Sequence, residues 1–165
     1  MATERVLIVV KTYPTFSKKY DELVCTAGVR PDGSWVRLYP ISFRKIPYEN
    51  QYKKFQWLEA ELERNKDDFR PETYRIKNYN AITLGKKIST GKDGTWAERR
   101  ELLLKNVYNN KYQLIEDAYN PKICRSLAVF KPKQITNFII NDAEDKEWNK
   151  DKLERIKAKN QQIDL

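Results

Sequence analysis

Trp35, Arg37 and Tyr39 alternate with Val36 and Leu38, and along an extended strand that spacing aims an indole, a guanidinium and a phenol at one surface. Such a row can stack bases and pair phosphates, and it holds no group that would carry a reaction. The surrounding segment, residues 22–40, reads as a β-hairpin. Its first arm sets Leu23, Cys25, Ala27 and Val29 on one side, expected to face inward with Val36 and Leu38 of the second arm. Pro31-Asp32-Gly33 forms the turn, supplying a preset φ, a side chain that bonds its own backbone and a residue at ease with φ > 0. The alternative is that later helices cover the aromatic row as a second core layer, in which case Arg37 would need a buried partner.

Other basic groups could serve the same surface. Lys11, Lys18 and Lys19 are expected to steer a nucleic-acid backbone, Trp35 and Tyr39 to stack bases, and Arg37 to meet a phosphate or base edge. Arg44, Arg70, Arg75, Arg99 and Arg100 are further candidate phosphate partners, although any one of them alone is more often a solvated surface group. The net charge of +9 divides as +4 over residues 1–77, +6 over 78–140 and −1 over 141–165. With an isoelectric point near 9.4 and no basic low-complexity arm, this fits a folded domain with an electropositive face, for which nucleic acid is the leading polyanion. A merely soluble basic domain is the plainer reading.

The chain has no histidine, which excludes Ser-His-Asp and Cys-His nucleophile systems and ordinary zinc hydrolase sites. An enzyme would have to use carboxylates, Lys, Tyr or Arg. Glu59, Glu61 and Glu63 share one strand face and could hold a hard cation, but without an Asp-x-Asp pattern or a histidine a solvated polar face accounts for them. Gly-Lys at 85–86 and 91–92 lacks the rest of a phosphate loop. No catalytic residue, metal or cofactor is therefore expected. Cys25 and Cys124 belong to no C-x-x-C pair, which favours buried thiols in a reducing compartment over a disulfide joining the two halves. The apolar run Val6–Val10 is too short to span a bilayer and no cleavable signal pattern follows it, so no membrane contact and a cytoplasmic location are expected.

Several elements must position these groups. Arg5–Lys11 is a strand whose continuous apolar run predicts burial on both faces. Residues 12–20 read as a loop and Ile41–Gln51 as irregular. Phe55–Glu63 alternates strictly and is taken as a strand, although Leu-Glu-Ala-Glu-Leu-Glu also favours helix. Glu72–Lys77 is a further strand, while Gly85, Gly91 and Gly94 mark a flexible connection. Thr95-Trp96-Ala97-Glu98 matches a capping box, predicting a helix from Trp96 to about Tyr108 with Leu103 and Val107 on its apolar side and Arg99 and Arg100 exposed. Tyr112–Ala118 is a second helix, Ser126–Lys131 and Gln134–Ile140 are strands, and Glu147–Lys159 is a charged terminal helix.

Lys11-Thr12-Tyr13-Pro14, Ser17-Lys18-Lys19-Tyr20, Cys25-Thr26-Ala27-Gly28, Trp35-Val36-Arg37-Leu38-Tyr39-Pro40, Arg70-Pro71-Glu72 and Phe130-Lys131-Pro132 together resemble an uncharacterised bacterial family of hypothetical proteins. The resemblance extends to about residue 140. Members of that family often continue into a further region with Cys and His residues, which this chain lacks, so no activity seated there is carried over. The Cys-x-Ala-Gly and Trp-Val-Arg pairing is also similar to the opening hairpin of dual OB-containing domains, which implies a small barrel. The expected architecture is α+β: a small bent β-barrel of OB-like or PUA-like kind. Residues 1–77 form its core, helices and two closing strands from 78–140 pack against it, and 141–165 is a charged tail. The expected function is binding of single-stranded or locally opened DNA or RNA. One alternative is a protein-interaction subunit of a larger bacterial defence or mobile-element complex, and another is a small metal-dependent nucleotide enzyme using Glu59 or Glu61 with Arg37.

Overall fold

The computed structural model describes residues 3–13, 15–17, 21–142, 150, 151 and 154. Lys18, Lys19 and most of the expected terminal helix lie outside the described residues. In chain order, β1 (Thr3–Lys11) is followed by a short antiparallel pair, β2 (Thr15–Ser17), within the segment expected to be a loop, and β3 (Asp21–Leu23), at the start of the expected hairpin arm. The hairpin β4 (Thr26–Val29) and β5 (Trp35–Leu38) comes next, then β6 (Gln56–Arg64), β7 (Thr73–Ile76) and β8 (Thr83–Lys87). The second half adds α1 (Ala97–Leu103), β9 (Val107–Tyr108), α2 (Lys111–Tyr119) and β10 (Val129–Phe130).

Five of these strands close into a ring, β1-β4-β5-β7-β6 and back to β1. The β5–β7 contact is parallel and the other ring contacts are antiparallel. The protein is therefore α+β with a small closed barrel. Closure runs through β1 and β6, so the ring needs no strand from residues 126–140. Of the two strands expected there, only Val129–Phe130 forms, pairing in parallel with β9, and Gln134–Ile140 carries no regular element.

The apolar run of β1 is buried on both faces for a simple reason. Val6 and Ile8 point into the barrel with Val36, Leu38, Leu58 and Ala60, while Leu7 points outward onto Val29, Trp57 and Ile88. Alternation in β6 follows the same rule, with Leu58, Ala60 and Leu62 inward. Glu59 and Glu61 face outward and pair with Arg5 at 3.5 Å and Lys77 at 2.9 Å, which decides between strand and helix for this segment. The irregular stretch after Pro40 makes two 3-10 turns, Phe43–Lys45 and Tyr48–Asn50, and sends Ile41, Ile46 and Tyr52 into the barrel core.

The hairpin register corrects one expectation. The turn pairs Val29 with Trp35 and Ala27 with Arg37, and cross-strand partners share a face. Ala27 and Val29 thus lie on the same outer face as Trp35 and Arg37. The inward set is Gly28, Thr26, Val36 and Leu38. Gly28 is required there, since a Cβ would sit 2.2 Å from the Leu7 carbonyl oxygen. Cys25 precedes β4 and is half-buried, not buried as expected.

Three further expectations fail in the second half. Gly85 lies inside β8, where a Cβ would come within 3.1 Å of Trp57 Cβ, so close approach and not flexibility explains it. The capping box does not form: the N-cap of α1 is Trp96 at φ 60°, with no side-chain cap bond, and the Glu98 carboxylate instead accepts from Lys86 at 2.9 Å. The helix ends at Leu103, and Val107 belongs to β9.

Candidate nucleic-acid interface

The outer face of the β4–β5 hairpin is divided in two by α1. At one end Trp35 packs onto the cluster of Leu7, Val29, Trp57 and Ile88, together with Leu102 and Leu103 of α1. Trp35 is therefore part of a second core layer. Two residues on, Arg37 is half-buried, with its guanidinium carbon 4.9 Å from the centroid of the Tyr39 ring. Among the described residues it makes no ion pair. The backbone beneath is pinned. Arg37 N donates to the Glu72 carbonyl at 2.8 Å, Tyr39 N to the Tyr74 carbonyl at 2.9 Å, and Asn65 Nδ2 to the Tyr39 carbonyl at 2.9 Å.

The remaining candidates scatter. Arg99 was expected on the exposed side of its helix but is 8% exposed. Its Nε and Nη2 donate to the Ile88 carbonyl at 3.2 and 2.8 Å, and its guanidinium lies 3.7 Å from the Phe55 ring centroid and 4.7 Å from that of Trp96. Wholly committed to the fold, it is withdrawn from the phosphate set, whereas Arg100 beside it is exposed. Lys11 ends β1 on the inward side: its Nζ lies 3.3 Å from the Phe43 ring centroid and donates to the Tyr52 carbonyl at 3.4 Å, and desolvation holds its pKa below the ordinary lysine value. It borders a hollow of about 440 Å³ with Lys53 and Lys87, whose lining does not include Arg37 or Tyr39. Arg44 is exposed on the first 3-10 turn. Arg70 and Arg75 pair with Asp68 and Asp67.

One feature was missed by the sequence reasoning. A cleft of about 910 Å³ lies between the hairpin turn, the start of β7 and residues 105–128. Its walls are tied together. Lys105 Nζ donates to the Pro31 carbonyl at 2.8 Å and Asn106 Nδ2 to the Gly33 carbonyl at 3.4 Å, while Ser126 N and Oγ donate to Glu72 Oε1 at 2.8 and 2.5 Å. Arg30 donates to Glu4 at 2.6 Å and lies over Tyr74 at 5.0 Å. Burial weakens the Arg30 charge, but bonding to Glu4 and Tyr74 more than offsets this and raises its pKa. The amide-rich run Asn106-Val-Tyr-Asn-Asn110 was the signal available for this wall.

Among the described residues no cluster of His, Cys, Asp and Glu could hold a metal ion, and no helix is long and apolar enough to cross a membrane. The two cysteines are free thiols. No curated protein and no solved structure matches the chain. A family model does match, over the whole barrel together with β8 and α1: this chain belongs to the family DUF8758, a domain of unknown function, through its residues 2–105.

Proposed function

We propose that the protein binds single-stranded or locally opened nucleic acid on the uncovered part of the outer hairpin face, with Arg37 and Tyr39 at its centre. The observation that carries this reading is Arg37 itself. Had the row been core throughout, its guanidinium would need a partner; Trp35 is covered by α1, yet Arg37 is half-exposed, stacked on Tyr39 and unpaired among the described residues. A guanidinium on an aromatic ring offers a phosphate partner and a stacking plane side by side.

Two further features support the reading. The ring order, with β4 and β5 as its second and third strands and a parallel β5–β7 contact, supports an OB-like reading of the barrel, and OB folds use their second and third strands for oligonucleotides. The net charge of +9 adds long-range attraction for a polyanion. Fluorescence anisotropy with a labelled single-stranded oligonucleotide tests it: Tyr39→Ala should weaken binding by about 1–3 kcal/mol, and Arg37→Ala should lower the slope of log affinity against log salt by about one. Unchanged affinity and slope in both folded variants would sink the proposal.

A second reading has its own observation. Tyr112, Ile115 and Tyr119 stand exposed along one side of α2, and Phe138, Ile139 and Ile140 are exposed beyond β10, a composition suited to a protein partner in a larger complex. Binding that resists salt and is lost in Tyr112→Ala/Tyr119→Ala would favour it.

A further inference from the structure

We infer that the cleft between the hairpin turn and residues 105–128 receives an unstacked purine base of the bound strand. This rests on the proposed nucleic-acid reading and extends it from a surface to a base-recognising pocket. The position favours it first. Trp35 lines the cleft and lies two residues before Arg37 on the same outer face, so a strand lying over Arg37 and Tyr39 meets the cleft mouth at its next step.

The chemistry of the walls then narrows the ligand. Most polar groups of the cleft are already engaged: Lys105 and Asn106 clasp the turn, Glu72 holds Ser126, and Arg30 holds Glu4. Tyr108 donates its hydroxyl to Asp117, which engages the polar tip of the ring and leaves its face for stacking. Asn109 and Gln113 are exposed, line the cleft and have no side-chain partner among the described residues, and Arg125 lies beside the Tyr108 hydroxyl. An apolar ligand would leave the two amides unpaired. A bare phosphate would make no use of the Tyr108 ring face. A base uses that face and the amides together. A carboxamide presents a donor and an acceptor side by side, the complement of the adenine N6 and N7 edge. At about 910 Å³ the space falls within the range of small-molecule sites.

The test uses the full chain and single-stranded oligo(dA) and oligo(dT), the former also carrying 8-azidoadenine for photochemical labelling. Gln113→Ala and Asn109→Ala should each lower oligo(dA) affinity about tenfold and oligo(dT) affinity less than about twofold, whereas Tyr39→Ala should lower both alike. Mass mapping should place the label on residues 105–113, 125–128 or Tyr74. Both amides being exposed, these variants should fold. An unchanged oligo(dA) to oligo(dT) ratio, with label confined to the neighbourhood of Tyr39, overturns the cleft and leaves the hairpin face standing. If neither oligonucleotide binds at low salt, the hairpin-face reading fails and the cleft falls with it.

Discussion

Arg99 and Arg37 both lie over aromatic rings on the outside of one barrel, and they have opposite fates. Arg99 is buried and donates from Nε and Nη2 to the Ile88 carbonyl, while Arg37 stays half-exposed and unpaired among the described residues. The surfaces beneath them explain the difference. On the covered side Leu7, Val29 and Trp57 form an apolar ridge, and α1 must lie across it to remove that area from water. Around Arg37 the cross-strand neighbours are Ala27 and Thr73, which offer a helix little to bury. Whether an arginine beside an aromatic ring serves fold or function is therefore decided by the strand neighbours. The ring alone does not decide it.

The largest effect should come from breaking the covered side. Arg99→Ala removes two hydrogen bonds from a charged donor and two ring contacts at once, and is expected to cost about 2–4 kcal/mol in urea unfolding. Arg99→Lys should not restore the loss, because an ammonium cannot reproduce the planar fork. Oligonucleotide affinity per folded molecule should stay at the parent value. An Arg99→Ala protein that unfolds like the parent but binds poorly would reverse the assignment of the two arginines.

A smaller contrast lies at the start of α1. Trp96 meets Phe55 edge to face at 5.7 Å and carries Arg99 on its ring, so Trp96→Ala should cost about 1–2 kcal/mol. Thr95→Ala should change stability by less than about 0.5 kcal/mol, since no side chain caps this helix. Thermal melting of the two variants orders them. A larger loss at Thr95 would reinstate the capping box and detach α1 from the ring stack that defines the covered side.

What the sequence made legible was what repeats locally. Alternation placed Val36 and Leu38 inward and resolved β6, and the unbroken run of β1 announced burial on both sides. Gly33 at φ 86° and the Asp32 bond to Ser34 N form the turn that Pro31-Asp32-Gly33 promised. Register was not legible, because it depends on how many residues the turn absorbs, and one step reassigned Ala27 and Val29 to the outer face. Arg99 misled for a related reason: its exposure depended on Phe55 and Ile88, distant in sequence and brought under it only by β6 and β8. The cleft needed two such long-range meetings, at Pro31 with Lys105 and at Glu72 with Ser126. In the candidate site, Arg37 and Tyr39 could be named from spacing alone, but the amides that line the cleft could not.

The smallest effect, at the hairpin turn, separates local loosening from loss of the covered side. The Asp32 carboxylate accepts from Ser34 N at 2.8 Å, and that backbone bond, helped by the Ser34 hydroxyl, holds its pKa below the ordinary 3.8. The folded value lies under the unfolded one, so the ionised group contributes stability that is fully present above 3.8 and is lost as pH falls through the folded value. The group is exposed, which limits the contribution to less than about 0.5 kcal/mol. On acidification below 3.8, the protection factor at Ser34 N, its exchange measured against the unstructured rate at the same pH, should therefore fall before those at Leu7 or Trp57, whose strands are buried beneath α1. Asp32→Asn keeps an acceptor and removes the charge, so its Ser34 protection factor should lose that pH dependence. If Leu7 and Trp57 opened together with Ser34 in the parent, the turn and the covered side would be one cooperative unit, and the division of the outer face into two regions would fail in its energetics.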